Sequence, residues 1–369
     1  MSKSTTDVRV ERVSRRDFVR IGGAGVAGAA LFGFVGCGDD DSGAGGKSGS
    51  SDNRLVLAHW GGSYQDAWDK AWVKAFAKEQ GVRAIYDGMD VAKLQSMVET
   101  GTVAWDICCG ITPDMGARDA AKLFEPIDYD FLGASAADIP QRFKEQYRIG
   151  FELYAETLGF NTERLNAKPQ TWADFLDLKR FPGKRALAGY VSELPLEMAL
   201  LGDGVAPGEL YPLDLDRAFK RLDGMRDEIV FYENVSQAQQ LLQDGEVVMA
   251  GIPANRVASA IEEGAPLEIQ WNQALTITGY NAVPKGAPHK DTAMALIKYI
   301  VDPQRNARMS DYLPIAPRNE KAIANIKPDR AELLPTFGDR PEHAVEASKE
   351  YYIENLEEAT KRYSEWLGS

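Results

Sequence analysis

A tryptophan, a serine and a tyrosine fall close together in residues 54–81, RLVLAHWGGSYQDAWDKAWVKAFAKEQG. Residues 55–58 are a short apolar run, which suits a strand buried on both faces of a parallel sheet. Gly61 and Gly62 free the backbone for a sharp turn. Ser63 is placed to cap the helix that follows. Ala67, Trp68, Ala71, Trp72, Ala75 and Phe76 recur at helical spacing, and Gly81 ends the helix. Trp60, Ser63 and Tyr64 therefore sit where a strand ends and a helix begins, the edge at which open α/β sheets bind ligands. Arg256, near the N-terminus of a predicted helix, offers a guanidinium to a carboxylate or phosphonate. Glu193 offers a carboxylate to an amine, and a zwitterion would use both. Thr112 in the turn after a third strand, Tyr190 and Tyr280 at strand ends, and Asn255 beside Arg256 complete the candidates. For each, packing in the core or a surface ion pair is the competing reading.

The chain lacks the residues of most enzyme chemistries. Its three histidines are His59 on the first buried strand, His289 in a loop, and His343 at the predicted start of the last helix. No nucleophile–histidine–acid order, no H-E-x-x-H and no G-x-S-x-G is present. Gly61-Gly62 matches neither phosphate-loop spacing. Cys108 and Cys109 are adjacent and read as small buried side chains in a strand. Tyr351-Tyr352 is a pair of phenols, but neighbours on a helix point about 100° apart and would not share one metal ion. No catalytic residue, metal site or cofactor is expected.

The elements that must position these residues alternate along the chain. Strands are predicted at 82–89 and 104–109, with a helix at 90–100 between them. This β-α-β-α-β order implies a parallel sheet with right-handed crossovers. Further strands are predicted at 151–160, from 183 to Tyr190, at 247–252, at 267–271 and at 279–283. Helices are predicted at 237–242, at 256–263, at 291–301 with Asp291 as N-cap, and at 342–367; Thr171 is expected to cap another short helix.

Ahead of this part, Arg15-Arg16 and an apolar Gly/Ala-rich run up to Gly36 have the layout of an export signal and resemble a twin-arginine signal. Phe34-Val35-Gly36-Cys37 resembles a lipoprotein box, with Cys37 as the acylated residue and two acyl chains giving a stable membrane anchor. The Gly/Ser/Asp-rich residues that follow read as a tether. The formal net charge is −13, of which residues 1–37 contribute +3, so the rest carries about −16. No basic stripe is present, which argues against nucleic acid as a partner.

The whole pattern resembles a type II periplasmic solute-binding protein of an ABC importer, in the spermidine/putrescine-binding family. The resemblance runs in order through WGGSY at Trp60, WDICCG and FEPID, TLGFNTERL at Thr157, and TWADFLDLKRFPGK at Thr171. It continues through DGEVVMAGIPANRVASAIEEGAPLEIQW at Asp244, AVPKGAPHKDTAMALIKYIVDP at Ala282, and YLPIAPRN at Tyr312. It implies an α/β fold of two lobes, each a mainly parallel sheet flanked by helices, with the ligand in a cleft between them and a membrane permease reading their closure. The expected organisation is a signal at 1–36, a lipidated cysteine and tether at 37–53, and one lobe from 54–157 and 280–320. The other lobe is 158–279, and a helical segment, 321–369, packs on a lobe. The resemblance also implies a monomer, exported and held at the outer face of the cytoplasmic membrane or in the periplasm. Trp60 and Tyr64 match the family's aromatic pair that packs on the ligand's aliphatic chain. The carboxylates of the polyamine binders fall instead on Val191, Leu194 and Gly279. The implied solute is amine-bearing and polyamine-like; an amino acid, ω-amino acid or phosphonate held through Arg256, or ferric iron, are the alternatives.

Overall fold

A computed structural model describes residues 53–369. The expectations for Arg15, Arg16 and Cys37, and with them the signal and nearly all of the tether, lie outside the described residues.

Among the described residues there are ten strands: β1 (Arg54–His59), β2 (Arg83–Gly88), β3 (Ile107–Ile111), β4 (Ile149–Asn161), β5 (Arg185–Ala188), β6 (Ile229–Tyr232), β7 (Met249–Pro253), β8 (Leu267–Ala282), β9 (Ala316–Pro317) and β10 (Val345–Glu346). They form one hydrogen-bonded series in the order β2-β1-β3-β8-β4-β7-β5-β6, with β10 beside β8 and β9 beside β4. At one end β1 pairs in parallel with β2 and β3; at the other β5 pairs in parallel with β6 and β7. Two long antiparallel strands, β4 and β8, join these halves. Short apolar strands such as β3, ICCGI, are buried along their whole length, because helices cover both faces of a parallel sheet.

The apolar side chains gather separately on each half. One core draws on residues 55–151 and returns with residues 280–315, centred on Trp68, Trp72 and Trp105. A second lies around Trp172, Phe175 and Leu200 and includes Tyr351, Tyr352 and Tyr363 of the last helix. A third, on Ala188, Tyr232 and Val257, covers the other face of the second half. The two-lobed α/β expectation holds, with β4 and β8 crossing between lobes. Cys108 and Cys109 are buried free thiols on β3.

Four local expectations are corrected. The helix after the glycine turn is Gly62–Trp68, with Gly61 at its N-cap and no side-chain cap, so Ser63 lies inside its first turn and does not cap it. That helix runs on through a π-helical turn, Asp69–Val73, to Lys74–Gln80, and the left-handed Gly81 ends it. Residues 267–271 and 279–283 are not two strands. Asn272 and Gln273 interrupt the apolar pattern, and the ladder with β4 shifts register there, but it resumes at Leu275, so both pieces belong to one strand, Leu267–Ala282. The last helix begins at Lys349, capped by Ser348, and not at 342. Residues 345–346 pair with Leu275 and Thr276, an edge of β8 that β3 leaves free, so His343 sits in a separate short helix. His289, not Asp291, occupies the N-cap of Lys290–Val301. Thr171 does hold the N-cap of Trp172–Leu176, although its side chain makes no cap bond.

Candidate ligand-binding cleft

The first wall comes from the turn after β1. Gly61 and Gly62 both have positive φ, and the turn they make leaves Trp60 48% exposed, with its indole N–H donating to the Gly110 carbonyl at 2.9 Å. The ring is thus held at the cleft edge with a face free. Tyr64 turns inward. A Cβ at Gly110 would fall 2.2 Å from the Tyr64 hydroxyl oxygen, so only glycine leaves room for that phenol. His59 lies behind it in an aromatic cluster, its ring 4.9 Å from Tyr64 and 5.1 Å from Trp68. Burial pushes its pKa down to about 3, so it stays neutral, with its Nε2 unpartnered. This is a core histidine, as the sequence suggests.

The floor is β4, and here the structure adds what sequence reasoning missed. Along a strand, alternate side chains share a face. Glu152, Tyr154 and Glu156 therefore form one stripe, while Phe151, Leu153 and Ala155 face the other way. The Tyr64 hydroxyl donates to Glu152 Oε1. Glu152 is opposite Gly279 in the β4–β8 register, and a Cβ at 279 would lie 2.4 Å from that same oxygen. The Glu152 carboxyl occupies the space that a side chain at 279 would take. Burial pushes its pKa up to about 8. Glu156 is fully buried, and neither of its oxygens has a hydrogen-bond partner. The signal was visible in FELYAETLGF: two glutamates and a tyrosine at i, i+2 and i+4 in an otherwise apolar strand.

The second wall comes from the other lobe. After β5 the chain passes Tyr190 and a 3-10 turn, Val191–Glu193, into the helix Pro195–Gly202. Leu194 holds φ 57 at the junction, a left-handed conformation that costs a β-carbon residue about 1–2 kcal/mol. The kink half-buries Glu193 beside Glu156 and Tyr190. Burial raises the Glu193 carboxyl, while Glu156, Arg256 and Tyr190 act against that rise. The Tyr190 ring stands edge-on to Tyr232 at 6.1 Å. After β7, the helix Ala254–Glu262 begins with Ala254, Asn255 and Arg256. Arg256 Nη1 donates to Ser63 Oγ at 3.3 Å, joining the two walls. The mouth also holds an interlobe cavity lined by Thr112, Pro113 and Asp114 on one side and Ser192 and Leu194 on the other.

Of the nine ligand-binding candidates, Ser63, Tyr64, Tyr190, Glu193 and Arg256 converge on the stripe of β4 or across it. Trp60 and Thr112 stand at the edge, and Asn255 lies next to Arg256 in the first turn of its helix. Tyr280 stands apart: with Gly279 facing Glu152, its own side chain faces the opposite way. Its ring lies under the Arg148 guanidinium at 4.8 Å and lines, with Arg142 and Phe143, a second cavity of about 310 Å³ that shares Pro113 and Lys349 with the cavity at the mouth. Tyr352 donates to buried Glu197 at 2.5 Å, so it serves the lobe core. Among the described residues no group of three or more metal-binding side chains is present, and no helix is long and apolar enough to cross a membrane.

Two lobes, two crossing strands and a polar cleft between them define a solute-binding protein of the ABC-importer type. The chain belongs to the family of bacterial extracellular solute-binding proteins, whose model matches residues 71–336. It is 32% identical over 320 residues to the gamma-aminobutyric acid-binding protein of Pseudomonas aeruginosa, covering 85% of this chain and 90% of that protein. Among solved structures it is similar to a GABA receptor (34% identity, TM-score 0.79, 85% and 97% of the two chains). It is also similar to the periplasmic binding protein AgtB from A. tumefaciens R10 in complex with agropinic acid (32%, TM-score 0.76, 86% and 99%). A substrate-binding protein of an ABC transporter from Bradyrhizobium japonicum matches with 31% identity and a TM-score of 0.79, over 85% and 99% of the chains. The chain is accordingly an exported binding component that presents a small-molecule solute to a permease, and not an enzyme.

Proposed function

We propose that the cleft binds a small zwitterion of the ω-amino acid class, with its carboxylate at Arg256 and Ser63 and its ammonium at the acidic wall of Glu193 and β4. The observation that carries this reading is the placing of a guanidinium and several carboxyls within one cleft. Trp60 and Tyr64 would flank the methylenes between the two charged ends. A polyamine is the second reading, favoured by the glutamates of β4, which supply carboxyls that Val191, Leu194 and Gly279 do not. Against it stands Arg256: a ligand with only positive charges would leave that half-buried guanidinium repelled rather than paired, and an unpaired buried charge costs several kcal/mol. The relatives named for gamma-aminobutyrate support the zwitterion. Iron has no support, since Tyr351 and Tyr352 pack into a lobe core.

Titration calorimetry with gamma-aminobutyrate, butyrate, putrescine and spermidine tests the choice. Saturable binding of gamma-aminobutyrate at low concentration, with butyrate and putrescine much weaker, is the expected result. Tight binding of putrescine alone would replace this reading with the polyamine one. We further propose export through Arg15 and Arg16 and anchoring by acylated Cys37; loss of metabolic palmitate labelling in Cys37→Ser is the corresponding check.

A further inference from the structure

The groups around Glu156 are more acidic than one ammonium requires. Glu156 is fully buried, no donor group reaches either of its oxygens, and the Glu193 carboxyl faces it within hydrogen-bonding reach from the turn after Tyr190. The other titratable groups facing this pair are Tyr154 on β4, Tyr190 and Tyr232 from the second lobe, and Arg256. The Arg256 charge acts on Glu193 and not on Glu156, so burial and mutual repulsion both oppose a second negative charge on the pair until a cation enters between them.

We propose that Glu156 and Glu193 share one proton in the unliganded protein, and that the ammonium of the solute displaces it, so that solute capture releases a proton. This inference rests on the ammonium-bearing ligand of the preceding section. The charges balance: the pair carries one negative charge with its proton, and two once the ammonium, with one positive charge, has replaced it. The pair is a specificity device as well as a proton store, since a solute without an ammonium leaves the proton in place. Burial raises both carboxyls, and for Glu156 the charge of Glu193 adds to it. Because the proton leaves on binding, affinity must rise with pH wherever the pair is protonated and the amine is still charged. The limiting slope is about tenfold per pH unit.

The test is calorimetry of the full mature protein with gamma-aminobutyrate in phosphate and in bis-Tris, two buffers that hold pH 6 and differ in heat of ionisation. The dependence of the heat on buffer ionisation gives the protons exchanged. Release approaching one proton per ligand near pH 6, lost in Glu156→Gln, is the expected result. Binding with no proton exchange overturns the proposal while leaving the ω-amino acid reading intact. A second measurement needs no ligand: carbon-13 NMR of the glutamate carboxyls in the unliganded protein. A carboxyl that titrates above pH 6 and disappears in Glu156→Gln supports the shared proton even if gamma-aminobutyrate fails to bind, in which case the ligand reading falls alone. If every carboxyl that titrates above pH 6 persists unchanged in Glu156→Gln, the proposal is overturned, since Glu152 and Glu197 alone then account for the raised signals.

Discussion

Replacing Glu152 by glutamine isolates one buried carboxyl in the floor of the cleft. The substitution keeps the shape and keeps an oxygen to accept the Tyr64 hydroxyl, but removes the proton equilibrium. Burial takes the Glu152 carboxyl from 4.5 to about 8. Between those values the folded protein holds a proton that the unfolded chain has released, so the folded state binds more protons and stability falls as pH rises. The slope is about 1.4 kcal/mol per pH unit, which amounts to about 3 kcal/mol by pH 7 and about 5 kcal/mol by pH 8. At about 2 °C per kcal/mol for a chain of this size, the wild type should melt roughly 10 °C below the variant at pH 8. The two should agree near pH 4.5. The assay is calorimetric or urea unfolding of wild type and Glu152→Gln in parallel from pH 4.5 to 8. Other buried acids, Glu156 and Glu197 among them, titrate in both proteins and cancel in the difference. Stability curves that run parallel across this range would refute the reasoning, because they would mean that Glu152 is ionised in the folded state.

Arg256→Ala should weaken binding of a carboxylate-bearing ligand by roughly 100-fold in calorimetry, the range for truncating one partner of a charge pair. The melting temperature of the unliganded protein should change little, since the Ser63 bond is the side chain's direct link across the walls. Gly279→Ala places a Cβ 2.4 Å from Glu152 Oε1; the carboxyl must move, and urea unfolding should show a loss of about 1–3 kcal/mol, with reduced affinity for the ammonium ligand. Tyr352→Phe removes one of two hydroxyls bonded to Glu197, the other being Tyr211 at 2.9 Å. Burial pushes Glu197 up to about 7, so the variant should lose about 1–3 kcal/mol at pH 8, where the carboxylate is ionised, and less at pH 5; unfolding at the two pH values checks it.

The sequence by itself determined the alternation of strands and helices, because apolar runs, glycine turns and helical spacing are local signals. It placed Trp60, Tyr64 and Thr112 at strand ends, where a parallel sheet opens toward ligands. It also marked Glu193 and Arg256 as an opposite pair of charges, although they stand 63 positions apart. Only the tertiary structure decided that the second half of β8 continues past Asn272 and Gln273, since pairing with β4 overrides the local break. Only the register between β4 and β8 put Glu152 into the space beside Gly279, and only the packing of the two lobes around β4 turned the Glu152, Tyr154 and Glu156 stripe, whose alternation is local, into the floor of a site. The same alternation sent Tyr280 away from it. Pairing across chain-distant strands carries no local signature, so the direction in which a strand residue faces, and the charges it meets there, had to await the fold.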